Sequence, residues 1–184
     1  LIAESGGISV DIGFESINPE VITEIRKART NDLSQYNPVI RCLHDHGISV
    51  YGNFIVGFDH DGRSVFKDLI NFIEETNIEC PMVNILVPYP GSVLHRVLDR
   101  EKRLFHKNWN YYDDTSPCVV YQPVNMSAEE LTQGYLQIVN SVNAPAAYLN
   151  RVIRAGTHDL VGTFLGFYFN VQKRQAVTAG LEKT

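Results

Sequence analysis

The sequence has no run of about 18 consecutive apolar residues, so no segment reads as a membrane-spanning helix. It also has no block of about five like charges, and 16 Lys and Arg against 21 Asp and Glu leave a formal net charge of -5. This argues against a nucleic-acid patch and an electrostatic membrane anchor. Neither a glycine-rich phosphate loop ahead of a helix nor a nucleophile motif is present. Cysteine is scarce: Cys42, Cys80 and Cys118 are odd in number and far apart. Such usage predicts a reducing, cytoplasmic origin, with each thiol acting as a small hydrophobe. Without a close cysteine pair there is no local zinc or iron–sulfur motif, and no metal-ligand set is expected. The chain opens Leu1-Ile2-Ala3-Glu4 with neither an initiator Met nor a charged-then-apolar leader, so it is expected to be a piece of something longer.

What the chain does have is a repeated alternation. At 184 residues and 44% hydrophobic content it can bury one sizeable core. Ile8 to Phe14 is an apolar run that breaks at Gly13 and delivers Glu15 and Ser16 at its end. Asn18-Pro19-Glu20 then carries a cap, a first-turn proline and a dipole-favoured carboxylate, which predict a helix to about Ala28. Leu33, Tyr36, Val39, Ile40 and Leu43 recur near 3.6 residues and stop at Gly47, a second helix with Pro38 near its start or bending it. A second strand is predicted over Val50 to Phe58, closed by Gly57 and followed by Asp59-His60-Asp61. Asp61 is expected to cap a helix through Val65, Phe66, Leu69, Ile70 and Ile73 that gives out near Asn77.

A third strand over Met82 to Val87, entered through Cys80-Pro81, leads into Pro88-Tyr89-Pro90-Gly91-Ser92 and a short helix from Val93 to about Arg103. Three strand–helix cycles with a period of roughly 40 residues predict an α/β fold of parallel strands joined by right-handed crossovers. Ligand sites in such folds collect beyond the carboxyl ends of the strands. Three units cannot close a barrel. Beyond residue 104 the character changes to a mainly helical extension, so the division expected is 1–104 and 105–184. It holds Trp109-Asn110-Tyr111-Tyr112-Asp113-Asp114, a short strand within 116–123, a capping box at Ser127-Ala128-Glu129-Glu130 opening a helix to about Val142, and an apolar segment from Leu160 to Val171.

Together these residues resemble the later part of radical S-adenosylmethionine enzymes. The likeness rests on Gly13-Phe14-Glu15-Ser16, on Phe54-Ile55-Val56-Gly57-Phe58-Asp59-His60-Asp61, on Pro88-Tyr89-Pro90-Gly91-Ser92 with Arg103 and Trp109 following, and on Met126 to Leu131. It runs from about residue 1 to 145 and is closest to the subgroup with an N-terminal cobalamin-binding domain. The resemblance implies the second half of a partial (β/α)6 barrel, with the three strands as its fourth, fifth and sixth. It implies S-adenosylmethionine, an iron–sulfur cluster and, by the subgroup, cobalamin as cofactors of a full-length parent. Glu15 and Ser16 would then serve the ribose or the methionyl end of S-adenosylmethionine. Ile55, Val56 and Gly57 would line the adenine, and Tyr89, Pro90 and Gly91 would close its far side. The cluster-binding Cys-x-x-x-Cys-x-x-Cys loop of the family is absent from this sequence, so the chain alone is expected to be inactive and to need the missing N-terminal part of the same protein.

Two other readings compete. One is a non-catalytic half-barrel binding or assembly module, whose open first strand would need covering. The other is a metal-dependent barrel hydrolase using Asp59, His60, Asp61, His44 and His46. Against it, two histidines spaced two apart on a helix face different directions.

Overall fold

The computed structural model describes residues 1–27, 29–113, 118–156, 166–168, 170–172 and 175. Three strands, β1 (Ser9–Glu15), β2 (Ser49–Val56) and β3 (Cys80–Ile85), pair in the order β1-β2-β3, all parallel. Helices α1 (Pro19–Glu24) and α2 (Leu33–Asp45) join the first pair, and α3 (Ser64–Thr76) joins the second. After β3 come α4 (Val93–Arg100), a short 3-10 turn (Trp109–Tyr111), α5 (Ala128–Val142) and α6 (Pro145–Ala155).

The local rules explain most of these boundaries. Asn18 accepts from the Glu20 N–H and starts α1, while Ser92 does the same for His95 and starts α4. At Ser127 both halves of the capping box form with Glu130. Asn77 closes α3 in the left-handed region at φ 56. Three expectations shift. Helix α1 stops at Glu24, because Arg26 turns into the left-handed region at φ 59, and Ala28 lies outside the described residues. Strands β2 and β3 end two residues early, their last residues becoming rim loop. The short strand in the extension reduces to one antiparallel bridge, Leu104 to Tyr121; Ser116 and Pro117 are outside the described residues.

Because side chains alternate along a strand, the sheet has two different faces. Val50, Phe54 and Val56 of β2 with Val83 and Ile85 of β3 are buried in one cluster with Tyr36 and Ile40 of α2, Leu69 and Ile73 of α3, and Ile138 and Val142 of α5. That cluster draws on both sides of residue 104, so the extension shares the core of the βα units. The opposite face carries Asp11, Tyr51, Asn53, Ile55, Met82 and Asn84, from exposed to half-buried, and Asn53 donates to the Asp11 carboxylate. Helix α5 approaches α3 so closely that a Cβ on Gly134 would lie 2.3 Å from the Phe66 ring. Fully buried Arg151 fastens α6 by donating to Ile78 O, Val142 O and the Glu74 carboxylate at 2.6 to 2.7 Å. Desolvation pulls its pKa below the ordinary arginine value, with Glu74 opposing. The apolar stretch Leu160–Val171 falls largely outside the described residues, although Gly166 to Tyr168 are helical and the Phe167 ring lies 5.8 Å from that of Tyr148. Among the described residues no helix is long and apolar enough to cross a membrane.

Candidate functional site

The carboxyl ends of the strands make one rim. At the end of β1 the register slips between Gly13 and Glu15, and Glu15 takes φ 66, unusual for a residue with a Cβ. The chain is held there from three directions. Asn31 donates its amide to Gly13 O and Phe14 O at 2.7 and 3.0 Å, Tyr36 donates to Phe14 O at 2.8 Å, and buried Ser16 accepts from the Asn18 N–H at 3.0 Å. Ser16 therefore shapes the turn, while the Glu15 carboxylate, 19% exposed, reaches the rim and accepts from Lys27.

The loop after β2 is tied down more heavily. Asp61 does not cap α3, whose N-cap is Arg63 without a side-chain bond. Its Oδ2 instead accepts from the Gly57 and Phe58 N–H groups at 2.9 and 3.1 Å, closing the tight turn that leaves the sheet. Asp61 is 1% exposed and its other oxygen has no hydrogen-bond partner, so burial pushes its pKa above the usual carboxylate range. Gly57 sits at φ 103, and an added Cβ would stand 2.5 Å from the Tyr121 hydroxyl. Two residues on, Asp59 accepts both terminal nitrogens of Arg103 at 2.8 and 2.5 Å, an ion pair that holds the guanidinium further above its ordinary pKa. Arg103 Nε donates to Gln122 O at 2.9 Å, and Asn125 donates to Asp59 O at 2.7 Å.

After β3, Tyr89, Pro90 and Gly91 are exposed, with Gly91 turning at φ 84 and Arg96 donating to its carbonyl at 2.8 Å. The sequence reading thus places Glu15, Ser16, Gly57, Tyr89, Pro90 and Gly91 on one rim. Ile55 and Val56, being consecutive in a strand, point to opposite faces, and Val56 is fully buried against the helices. Missed by that reading is a cavity of about 330 Å3 at the rim, lined among others by Ile25, Phe58, Leu86, Val93, Val97 and Tyr121. The i, i+4 pairing of Val93 with Val97 and Leu94 with Leu98 was the signal available for it.

The metal-ligand constellation is split by the sheet. His44 meets Glu79 at 3.2 Å and His46 meets Cys42 O at 2.7 Å, both where β2 begins, whereas Asp59 to Asp61 follow its end about 25 Å away at roughly 3.3 Å per residue. Among the described residues no group of three His, Cys, Asp or Glu could hold a metal ion. The cysteines do not fit an iron–sulfur cluster either: Cys42 is exposed on α2, and Cys80 is buried in β3 with its thiol pushed up to about 12 by desolvation.

In open α/β sheets, ligands generally collect at such a rim beyond the carboxyl ends of the strands. Comparison with known proteins narrows this. Residues 93–159 match the family model described as a domain of unknown function, DUF4070. The chain is 31% identical over 152 residues to bacteriochlorophyllide d C-12(1)-methyltransferase of Chlorobaculum tepidum, covering 83% of this chain and 32% of that protein. It is 23% identical over 112 residues to the C-8(2)-methyltransferase of the same organism, covering 61% and 25%. With the hopanoid C-2 methylase of Rhodopseudomonas palustris it shares 29% over 109 residues, covering 58% and 20%. The chain spans between a fifth and a third of the length of these curated relatives. It belongs with the radical S-adenosylmethionine enzymes of the cobalamin-binding subgroup, the family its motifs resemble.

Proposed function

We propose that this chain forms one wall of the S-adenosylmethionine cradle in a cobalamin-type radical S-adenosylmethionine methyltransferase. The observation that carries the reading is the rim itself: three consecutive parallel βα units bring their loops to one side, with the half-buried Glu15 carboxylate among them. The sequential strand order, with the buried face covered by α2, α3 and α5, suits the wall of a partial (β/α)6 barrel whose interior is the face of Asp11, Asn53 and Ile55. The division into a half barrel over 1–104 and a helical extension over 105–184 is part of the proposal.

S-adenosylmethionine would supply the transferable methyl group and, with the cluster, radical chemistry. This chain's residues bind and orient. Glu15 accepts from ribose hydroxyls or the methionyl ammonium, and its bond from Lys27 keeps the carboxylate aimed. Ile55 offers an apolar wall, Tyr89 and Pro90 the far side, and Gly91 a backbone that allows close approach. Ser16, Val56 and Gly57 contribute by setting the two turns from beneath. The cluster ligands, the cobalamin site and a cytoplasmic location are assigned to the whole parent protein, since none of the three cysteines here suits a cluster.

Titrating S-adenosylmethionine into the full-length parent protein, with shifts of the Ile55 methyls and of Tyr89 followed by NMR, tests the reading. Expected are saturable shifts at both, weakened about tenfold or more in Glu15→Gln. Millimolar ligand without a shift at either residue overturns it. A non-catalytic half-barrel module is the second reading, favoured by Asn31, whose amide already occupies the Gly13 and Phe14 carbonyls where β1 ends.

A further inference from the structure

We propose that the cavity of about 330 Å3 beside the rim receives a hydrocarbon portion of the substrate, and that α4 sets how much of it fits. This rests on the reading of the rim as a cofactor and substrate site, but its argument comes from the lining. Helix α4 presents Val93, Leu94, Val97 and Leu98 on one stripe, faced by Phe58 and Leu86 from the loops after β2 and β3. Helix α4 and the loops after β2 and β3 thus converge on a surface of methyl and phenyl groups.

Of the three polar side chains in the lining, two are hydrogen-bonded elsewhere. Both Asp59 oxygens accept from Arg103, and the Tyr121 hydroxyl donates to Gly57 O at 2.5 Å. The third, Glu24, is exposed and lies 4.0 Å from the His60 ring, beyond hydrogen-bond distance. A nucleobase or sugar placed here would lose its water partners and find only the exposed Glu24 carboxylate to replace them, a cost that hydrocarbon escapes. The cavity is also preformed, because the Asp59–Arg103 and Tyr121–Gly57 bonds lock its floor. Its entrance is marked by Val93, 68% exposed at the first position of α4. At the small end of the usual range of ligand pockets, it holds a branch or edge of a larger molecule rather than the whole.

The test uses straight-chain alcohols from butanol to decanol as probes, binding followed through the methyl signals of Val93, Leu94 and Val97 in the full chain. Expected is a tightening of about fourfold per added methylene until the cavity is full, then a plateau. Val97→Trp fills the space and is expected to abolish the length dependence. Exposed Val93→Trp, which leaves the core untouched, is expected to weaken the longest alcohols at least tenfold even if Val97→Trp does not fold. Flat affinity along the series, or an unchanged series in Val93→Trp, overturns the assignment. Adenosine displacing the alcohols from the same methyls would overturn it too, while leaving a cofactor site at the rim. Length-dependent binding in a chain whose Ile55 and Tyr89 ignore S-adenosylmethionine supports the hydrocarbon cavity and removes only the cofactor reading.

Discussion

Tyr121 donates its hydroxyl to the carbonyl of Gly57 at 2.5 Å across 64 residues of sequence, standing where a side chain on Gly57 would have to go. One glycine is thus used twice, for the left-handed exit from β2 and for the approach of the extension. Removing the hydroxyl in Tyr121→Phe strands a buried acceptor and is expected to cost about 1–3 kcal/mol. Gly57→Ala adds backbone strain and a collision and is expected to cost at least as much. Urea midpoints of the two variants check both, and a neutral Gly57→Ala would refute the arrangement.

Gly134 makes the corresponding contact between α3 and α5. In an ordinary helix interior, alanine would gain about 1 kcal/mol over glycine. Here the Phe66 ring atoms lie 2.3 to 2.4 Å from the position of a Cβ, so Gly134→Ala is expected to lose about 1–3 kcal/mol instead. Combining it with Phe66→Leu should recover part of that loss, a coupling that a double-mutant cycle of thermal unfolding reads directly.

Asp61 ties folding to pH. Its pKa is raised in the folded state by burial, so folding favours its protonated form. That contribution is complete below the ordinary aspartate value of about 4 and is lost as pH rises through the raised one. Asp61→Asn keeps an acceptor for the Gly57 and Phe58 N–H groups and puts an amide where the unpartnered oxygen stands. Relative to the parent, the variant should gain stability as pH climbs from about 4 toward neutrality and then level off. Denaturant unfolding across that range would show parallel curves if Asp61 were inert.

The thiols should separate by reactivity. Cys42 is exposed, whereas Cys80 is buried with its pKa pushed to about 12, and burial raises that of Cys118 as well. A water-soluble alkylating reagent at neutral pH is expected to label Cys42 first in the native chain and Cys80 only on unfolding. Mass mapping of time points distinguishes this from uniform labelling.

Much of the scaffold was legible because its signals are local. Asn18, Ser92 and Ser127 cap helices through N–H groups two or three residues away, and short apolar runs closed by glycine or proline marked the parallel strands within two residues. The rim was legible for the same reason, since strand ends carry their next residues to a common side. Asp61 was misread where two local roles compete: three residues ahead of a helix, its carboxylate can cap forward or bond backward, and the backward choice depends on how the chain leaves β2.

By itself the sequence determined the order of elements and the parallel α/β class, which follow from periodicity and neighbours along the chain, and its motifs carried the resemblance to the family. Only the tertiary structure decided that Ser16 faces inward while Glu15 reaches the rim, that Arg103 closes on Asp59 from 44 residues away, and that α4 walls an apolar cavity. The hydrophobic effect has no direction of its own, so which apolar faces meet, and what gap they leave, is settled by packing the whole chain at once.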